Sequence, residues 1–205
     1  MQLIQESNDQ DFAAVILAAG QSKRMGQSKM VLPWRDSTVV GCVISAFQKS
    51  HIAQIIVVTG GYRDLVEKEI NKFRVEKIFN PEFSNGEMIT SLKVGLSCIK
   101  TKKKYLFISL GDQPEIYPED ILGMMDLARN NPDKLIIPSY SMRRGHPWLI
   151  PENYFAEITS LKSPETMKTF INRHEGQILY YMVTKSNILA DLDTPEDYRS
   201  LLPNS

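Results

Sequence analysis

The segment Leu17-Ala18-Ala19-Gly20-Gln21-Ser22-Lys23-Arg24-Met25-Gly26-Gln27-Ser28-Lys29 places glycines, cations and small polar residues directly after the apolar run 13–16. Glycine lets backbone N–H groups come close to an anion, and Lys23, Arg24 and Lys29 can neutralise it. That is the chemistry of a triphosphate cradle. The spacing is not that of a Walker A loop, because Gly26 is followed by Gln27-Ser28 rather than Lys and Ser or Thr. Nor does it match the Gly-x-Gly-x-x-Gly dinucleotide fingerprint.

Four further stretches carry residues suited to the same chemistry. In Gly111-Asp112-Gln113-Pro114 a carboxylate at a strand end can ligate Mg²⁺ on a nucleotide phosphate, or it can support its own turn. In Asp191-Leu192-Asp193-Thr194-Pro195-Glu196-Asp197 the last four residues spell a helix start, with Thr194 as N-cap and Pro195 at the first position. The cap does not explain Asp191 and Asp193, which point to one side of an extended segment. Arg143-Arg144-Gly145-His146-Pro147 offers two guanidiniums and a histidine held between Gly and Pro, in competition with an ordinary hairpin turn. Asn80-Pro81 and the run Asn85-Gly86-Glu87-Met88-Ile89-Thr90-Ser91 combine a turn signal with a helix start. There Asn80 or Ser91 could bond a base or ribose, or simply cap. By contrast Lys100-Thr101-Lys102-Lys103-Lys104 reads as a solvated charge run at a helix end, and His51 and His174 each stand without a plausible metal partner.

The elements that must position these residues alternate along the chain. Apolar runs at 13–17, 55–59, 75–79, 105–110 and 135–138 predict short strands buried on both faces of a parallel sheet. Amphipathic patterns at 38–49, 63–73, 88–99 and 119–130 predict the intervening helices. Stretches 147–150 and 179–183 predict further strands, the second pairing antiparallel at the far side. Ser163-Pro164-Glu165 predicts a helix with Pro164 in its first turn, running to about Arg173. This order implies an α/β fold, a three-layer α/β/α doubly wound, mostly parallel sheet forming one domain over 1–205. Ligands in such sheets bind beyond the carboxyl ends of the strands. The loop at 17–29, Gly60-Gly61-Tyr62, Asn80-Pro81, Gly111-Asp112 and the 143–147 segment all follow apolar strands, which predicts one composite site.

Composition narrows the partners. The 205 residues carry 24 basic and 24 acidic side chains, a formal charge of zero, which argues against a general nucleic-acid or membrane-surface binder. Residues 1–10 are polar and no long apolar run occurs, so neither a signal peptide nor a membrane span is expected. Cys42 and Cys98, without ligand spacing around them, are expected to be reduced thiols of a cytoplasmic protein.

The loop at 17–29 resembles the signature loop of the molybdopterin nucleotidyltransferases, within the superfamily that includes sugar-nucleotide pyrophosphorylases. Leu17-Ala18-Ala19-Gly20, Gly111-Asp112-Gln113-Pro114, Gly145-His146-Pro147 and the Asp-x-Asp-Thr-Pro-Glu-Asp ending are similar to the cytidylyltransferase branch, and the guanylyl branch typically reads Leu-Ala-Gly-Gly. The resemblance covers nearly the whole chain and implies a nucleotide-diphospho-sugar transferase-like fold. It implies transfer of CMP from CTP to the terminal phosphate of molybdopterin or molybdenum cofactor, serving a xanthine-dehydrogenase-type enzyme. It assigns Arg24, Lys29 and Asp112 to catalysis, and Leu17, Ala18, Ala19, Gly20, Gly60, Asn80, Gly86 and Ser91 to the nucleotide. Gln113, Arg144 and His146 fall to the acceptor, and Asp112 with Asp193 to Mg²⁺. A sugar-phosphate or alditol-phosphate nucleotidyltransferase, and a non-catalytic cofactor-insertion chaperone active in purine catabolism, share these motifs.

Overall fold

The computed structural model describes residues 9–85, 87–99 and 102–202. Strand β1 (Asp9–Ala18) is its axis. Its side chains alternate between two cores: Phe12, Ala14, Ile16 and Ala18 enter one, while Ala13, Val15 and Leu17 enter the other. A strand with apolar residues at every position can satisfy both faces only between two helical layers.

After β1 come the two-stranded hairpin β2 (Pro33–Trp34) and β3 (Ser37–Thr38), helix α1 (Val39–Lys49) and β4 (Ile52–Thr59). Helix α2 (Arg63–Ile70), β5 (Glu76–Phe79), α3 (Met88–Leu96) and β6 (Tyr105–Leu110) follow. Next are α4 (Pro118–Asn130), β7 (Leu135–Tyr140), β8 (Arg143–Arg144) and β9 (Trp148–Pro151). The chain continues through α5 (Phe155–Ser160), α6 (Met167–Arg173), β10 (Ile178–Met182) and α7 (Pro195–Leu201). The main sheet runs β10-β7-β9-β6-β1-β4-β5, with β8 on β7. Helices α1, α2 and α4 supply one layer of core, and α3, α5 and α6 the other. The expected three-layer, mostly parallel α/β/α architecture is present.

Several boundaries and one direction differ from expectation. Strand β10 pairs parallel with β7, whereas β9 is antiparallel to both β6 and β7. The short stretch 141–147 between β7 and β9 cannot make the long crossover that a parallel pair needs, so β9 runs antiparallel to β7. Helix α6 starts at Met167, where Thr166 and Thr169 form a capping box, and Pro164 lies before it. The β2–β3 hairpin and α5 were not foreseen. In the lysine run, Lys103 is buried and donates to the Gln10 carbonyl at 2.8 Å, while Lys104 pairs with Asp11; Lys100 and Thr101 lie outside the described residues. Cys42 and Cys98 are free thiols, half-buried as expected. Among the described residues no helix is long and apolar enough to cross a membrane.

Helix α3 lies tight on the sheet. A Cβ at Gly95 would meet Val15 Cγ1 at 2.6 Å and Val58 Cγ2 at 3.1 Å, both on stiff, β-branched side chains. Gly95→Ala should therefore destabilise the protein by about 1–3 kcal/mol despite the better helix propensity of alanine. A lower urea midpoint with an unchanged slope would show this, and an unchanged or higher midpoint would refute it.

Candidate functional site

The order β5-β4-β1-β6 means that the winding reverses between β1 and β6, so a crevice opens beyond their carboxyl ends. Register brings the loops level there, because Leu17 aligns with both Val58 and Leu110. Backbone bonds from Gly61 N to Ala19 O (3.1 Å) and from Gly111 N to Leu17 O (2.9 Å) continue the alignment past the strands. A cleft of about 400 Å³ lies here, lined by Leu17, Gly20, Gln21, Ser22, Lys23, Arg24, Lys29, Leu110, Asp112 and Asp193. A second cavity of about 230 Å³ shares Leu17, Gly20, Phe83 and Leu110 with it and adds Ala19, Glu87, Met88 and Ser91. Their combined size suits a nucleotide-sized ligand.

The loop from Gly20 to Lys29 folds on itself. Met25 N donates to Ser22 O, and Lys29 N donates to Ser22 Oγ, at 3.0 and 3.3 Å. Lys29 opens a 3-10 turn, Lys29–Val31, and aims its side chain into the cleft. Its Nζ is 2.5 Å from Asp112 Oδ2 and 3.0 Å from Asp193 Oδ1. Burial pulls the Lys29 ammonium down, but Asp112 and Asp193 outweigh it and hold its pKa above the usual lysine value. Burial pushes Asp193 up, and Lys29 with Arg24 more than reverse this, leaving it below the usual carboxylate range. Arg24 reaches Asp193 at 2.6 Å from an exposed position, so its pairing is solvent-screened and adaptable. Gly20 has no atom within 4 Å of where a Cβ would stand, leaving its backbone open to the cleft.

Asp193 arrives from far along the chain, and its segment is pinned at several points. Leu192 packs with Trp34 and Val39 in a small separate core. Tyr198 OH donates to Pro33 O at 2.6 Å, and Thr194 and Asp197 form the capping box of α7. Gln113 Nε2 donates to Asp191 Oδ1 at 2.6 Å. Asp191 and Asp193 thus have different partners. Glu115 binds the hairpin to the same assembly, accepting from Trp34 Nε1 (3.0 Å), Arg35 (2.7 Å) and Tyr117 OH (2.7 Å). Its carbonyl accepts from Asn187 Nδ2 at 2.6 Å. No local spacing announces this clamp.

Other expected residues are placed differently. Ala18 is fully buried in the core beneath the loop, so its methyl faces neither cavity. Gly60 is a packing residue: a Cβ there would meet Phe83 Cβ at 2.5 Å and Ala19 O at 2.6 Å. Asn80 is buried and spent, donating to Ser91 Oγ (2.9 Å) and Thr90 Oγ1 (3.3 Å) and accepting from Glu82 N (3.0 Å). It orients Ser91 rather than facing a ligand. Gly86 lies outside the described residues. Arg144 is held away from the cleft by Tyr180 OH (2.9 Å), Asn172 (3.0 Å) and Glu175 (2.7 Å), because β8 turns it toward α6 and β10. His51 adopts a positive φ, and His174 pairs with Glu157 at 2.9 Å beside Tyr154 and Phe170. Phe83 and Met88 are lining residues that the sequence reading did not single out; the only signal was an aromatic shortly after β5.

His146 does reach the site end of the sheet. Antiparallel pairing of Trp148 with Ile108 puts the start of β9 beside the end of β6. The imidazole stacks on Trp148 at 4.3 Å between centroids and 19° between planes. Its Nδ1 is sealed from solvent without a hydrogen-bond partner. Burial lowers its pKa to about 4, against weaker opposing effects of the Ile108 backbone and Asp112. At neutral pH it is an uncharged ring.

Two carboxylates that converge on one ammonium form a hard-oxygen pair suited to a divalent cation. Among the described residues no group of three or more His, Cys, Asp or Glu could hold a metal by itself. That donor set fits Mg²⁺, which takes one or two carboxylates, phosphate oxygens and water. Cations and carboxylates around an open backbone suit the cleft to anion binding and phosphoryl-type transfer.

The pattern described as a MobA-like NTP transferase domain matches residues 14–178. The chain is 32% identical over 187 residues to the molybdenum cofactor cytidylyltransferase of Escherichia coli (strain K12), covering 90% of this chain and 92% of that protein. It is 23% identical over 195 residues to the purine catabolism protein PucB of Bacillus subtilis (strain 168), covering 90% and 92%. The crystal structure of Rv0371c from Mycobacterium tuberculosis H37Rv superposes with a TM-score of 0.83 at 25% identity, covering 94% and 97%.

The imidazole, its Nδ1 cut off from solvent, yields a signed pH effect. Below about pH 6.5 the unfolded chain protonates His146 while the folded protein does so only near pH 4, so stability falls as pH drops between these values. Urea midpoints measured across this window should decline less steeply in His146→Gln than in the unmodified protein. Parallel slopes would contradict the assignment.

Proposed function

This chain belongs to the MobA-like NTP transferase family and is a nucleotidyltransferase, and from that premise we propose that it transfers CMP from CTP to the terminal phosphate of molybdopterin or molybdenum cofactor. The observation that carries this reading is the convergence of Arg24 and Lys29 with Asp112 and Asp193 on one cleft at the β1–β6 reversal. An acceptor phosphate oxygen attacks the α-phosphorus in line, the bond to the β-phosphate oxygen breaks, and pyrophosphate leaves. The attacking oxygen is already anionic, so the reaction needs no general base. Positioning and charge neutralisation suffice.

In this reading Gly20 and the following backbone approach the triphosphate, which Arg24 and Lys29 neutralise. Asp112 and Asp193 would hold Mg²⁺, which when bound neutralises phosphate charge and orients the leaving group. The smaller cavity takes the base, with Ala19 and Ser91 on its wall. Gln113 and neutral His146 border the acceptor side, and Arg144 supports that side's scaffold. Similarity to a purine catabolism protein supports a xanthine-dehydrogenase-type recipient.

Asp112→Asn should abolish pyrophosphate release at saturating Mg²⁺, while circular dichroism shows the fold intact, because one carboxylate is lost where phosphate charge must be bridged. Near-normal release would remove Asp112 from the mechanism. Release with a sugar phosphate but not with molybdopterin would reassign the acceptor, and cofactor binding without release would favour the chaperone.

Base choice is testable at Ala19. A pyrimidine packs against its methyl, whereas a purine needs that volume. One such contact discriminates by only about 1–3 kcal/mol, so preference should be partial. Ala19→Gly should narrow the ratio of kcat/KM for CTP over GTP. A protein that prefers GTP at the outset would sink the cytidylyl assignment, and a ratio unmoved by the substitution would sink its proposed cause.

A further inference from the structure

Without nucleotide, the point on which both site carboxylates converge is filled by a side chain of the protein itself. Lys29 Nζ contacts Asp112 at 2.5 Å and Asp193 at 3.0 Å, with only 10% of its side chain exposed. We propose that the Lys29 ammonium is a resident surrogate for the divalent cation, so that a nucleoside triphosphate must draw it away before a metal can engage both carboxylates. This rests on the nucleotidyl-transfer reading of the cleft and adds a compulsory order to it.

The charge balance drives that order. Asp112 and Asp193 are matched by Lys29 and Arg24, so the cluster is neutral as it stands. A metal arriving alone would compete with the ammonium for the same oxygens. It would also leave a nearly buried cation without its two carboxylate partners, and like charges at such range in a partly buried site repel strongly. A triphosphate removes the conflict by supplying new oxygens to Lys29 and to the adaptable Arg24. Once both cations have moved to phosphate, the carboxylates are unneutralised and attract a dication. The movement needs no backbone rearrangement. The Lys29 N–H stays fixed to Ser22 Oγ, while the flexible four-carbon stem lets the ammonium swing.

The test is Mn²⁺ binding to the full chain, followed by electron paramagnetic resonance. Without nucleotide, Lys29→Met and Lys29→Gln should each bind Mn²⁺ at least about tenfold more tightly than the unmodified protein. Lys168→Met removes an exposed cation on α6 that lines neither cavity. It should stay within about twofold of the unmodified protein. Adding Asp193→Asn to Lys29→Met should cancel the gain. Equal affinity in the unmodified protein and both Lys29 variants overturns the proposal, and so does equal tightening by Lys168→Met. The unmodified protein gives a check that needs no variant: nucleotide-free Mn²⁺ binding as tight as that with α,β-methylene-CTP overturns it as well. These nucleotide-free comparisons stand apart from the transfer reading. If CTP and its analogue fail to bind at all, that reading fails, while the Lys29 variants still decide whether the ammonium blocks the metal position.

Discussion

The structure depends on β1 being held from four directions at once. It is hydrogen-bonded along both edges, to β4 and β6, and its alternate side chains enter two separate cores. A slip of one residue would exchange Phe12 and Ile16 with Ala13 and Val15 and unmake both cores together. The strand therefore has one register, and that register sets where Ala19, Gly60 and Gly111 leave the sheet. Close approaches at these turns follow from it, Gly60 against Phe83 and Ala19 being the tightest. The geometry of the cleft is thus a by-product of core packing.

Onto that rigid floor the protein builds an electrostatic arrangement of a softer kind. The floor contributes fixed backbone and Asp112, whereas Lys29 and Arg24 sit on side chains that can change partners. Asp193 lies between these extremes, mobile by its own torsions but anchored by Leu192 in the Trp34 core and by the capping box of α7. Such a division suits a reaction in which the protein makes no covalent bond. Under the proposed transfer, rigid parts would define where phosphorus lies, and adaptable cations would follow charge from reactant to product.

Much of this was legible in the sequence because the governing signals are local. Apolar runs marked the strands at 55–59 and 105–110, the cation-rich glycine loop marked a wall of the cleft, and Thr194-Pro195 marked the start of α7. Lys29, Asp112 and Asp193 were picked out separately, and the structure brings them into contact. What escaped was set by pairing between distant residues. The direction of β9 and β10 depends on which neighbour each meets, and no periodicity within a short strand encodes that. Arg144 has the chemistry of a phosphate ligand and Asn80 that of a base reader. Partners on α6, β10 and α3 claim them first, and those partners lie 10 or more residues away in sequence. The Glu115 clamp joins three separated stretches and was invisible for the same reason. Lys103 was misread because its buried stem ends at a distant backbone carbonyl, Gln10 O, which accepts its ammonium.

The anchoring of Asp193 through Leu192 and Tyr198 also has a consequence in time. Synthesis runs from the N-terminus, so β1, β4, β6, the loop and Asp112 are all made before the segment around Asp193. The Trp34 pocket that receives Leu192 also takes Tyr198, which lies beyond Asp193 in sequence. A chain that stops before Asp193 carries the glycine loop and Asp112 but lacks the second carboxylate of the cleft.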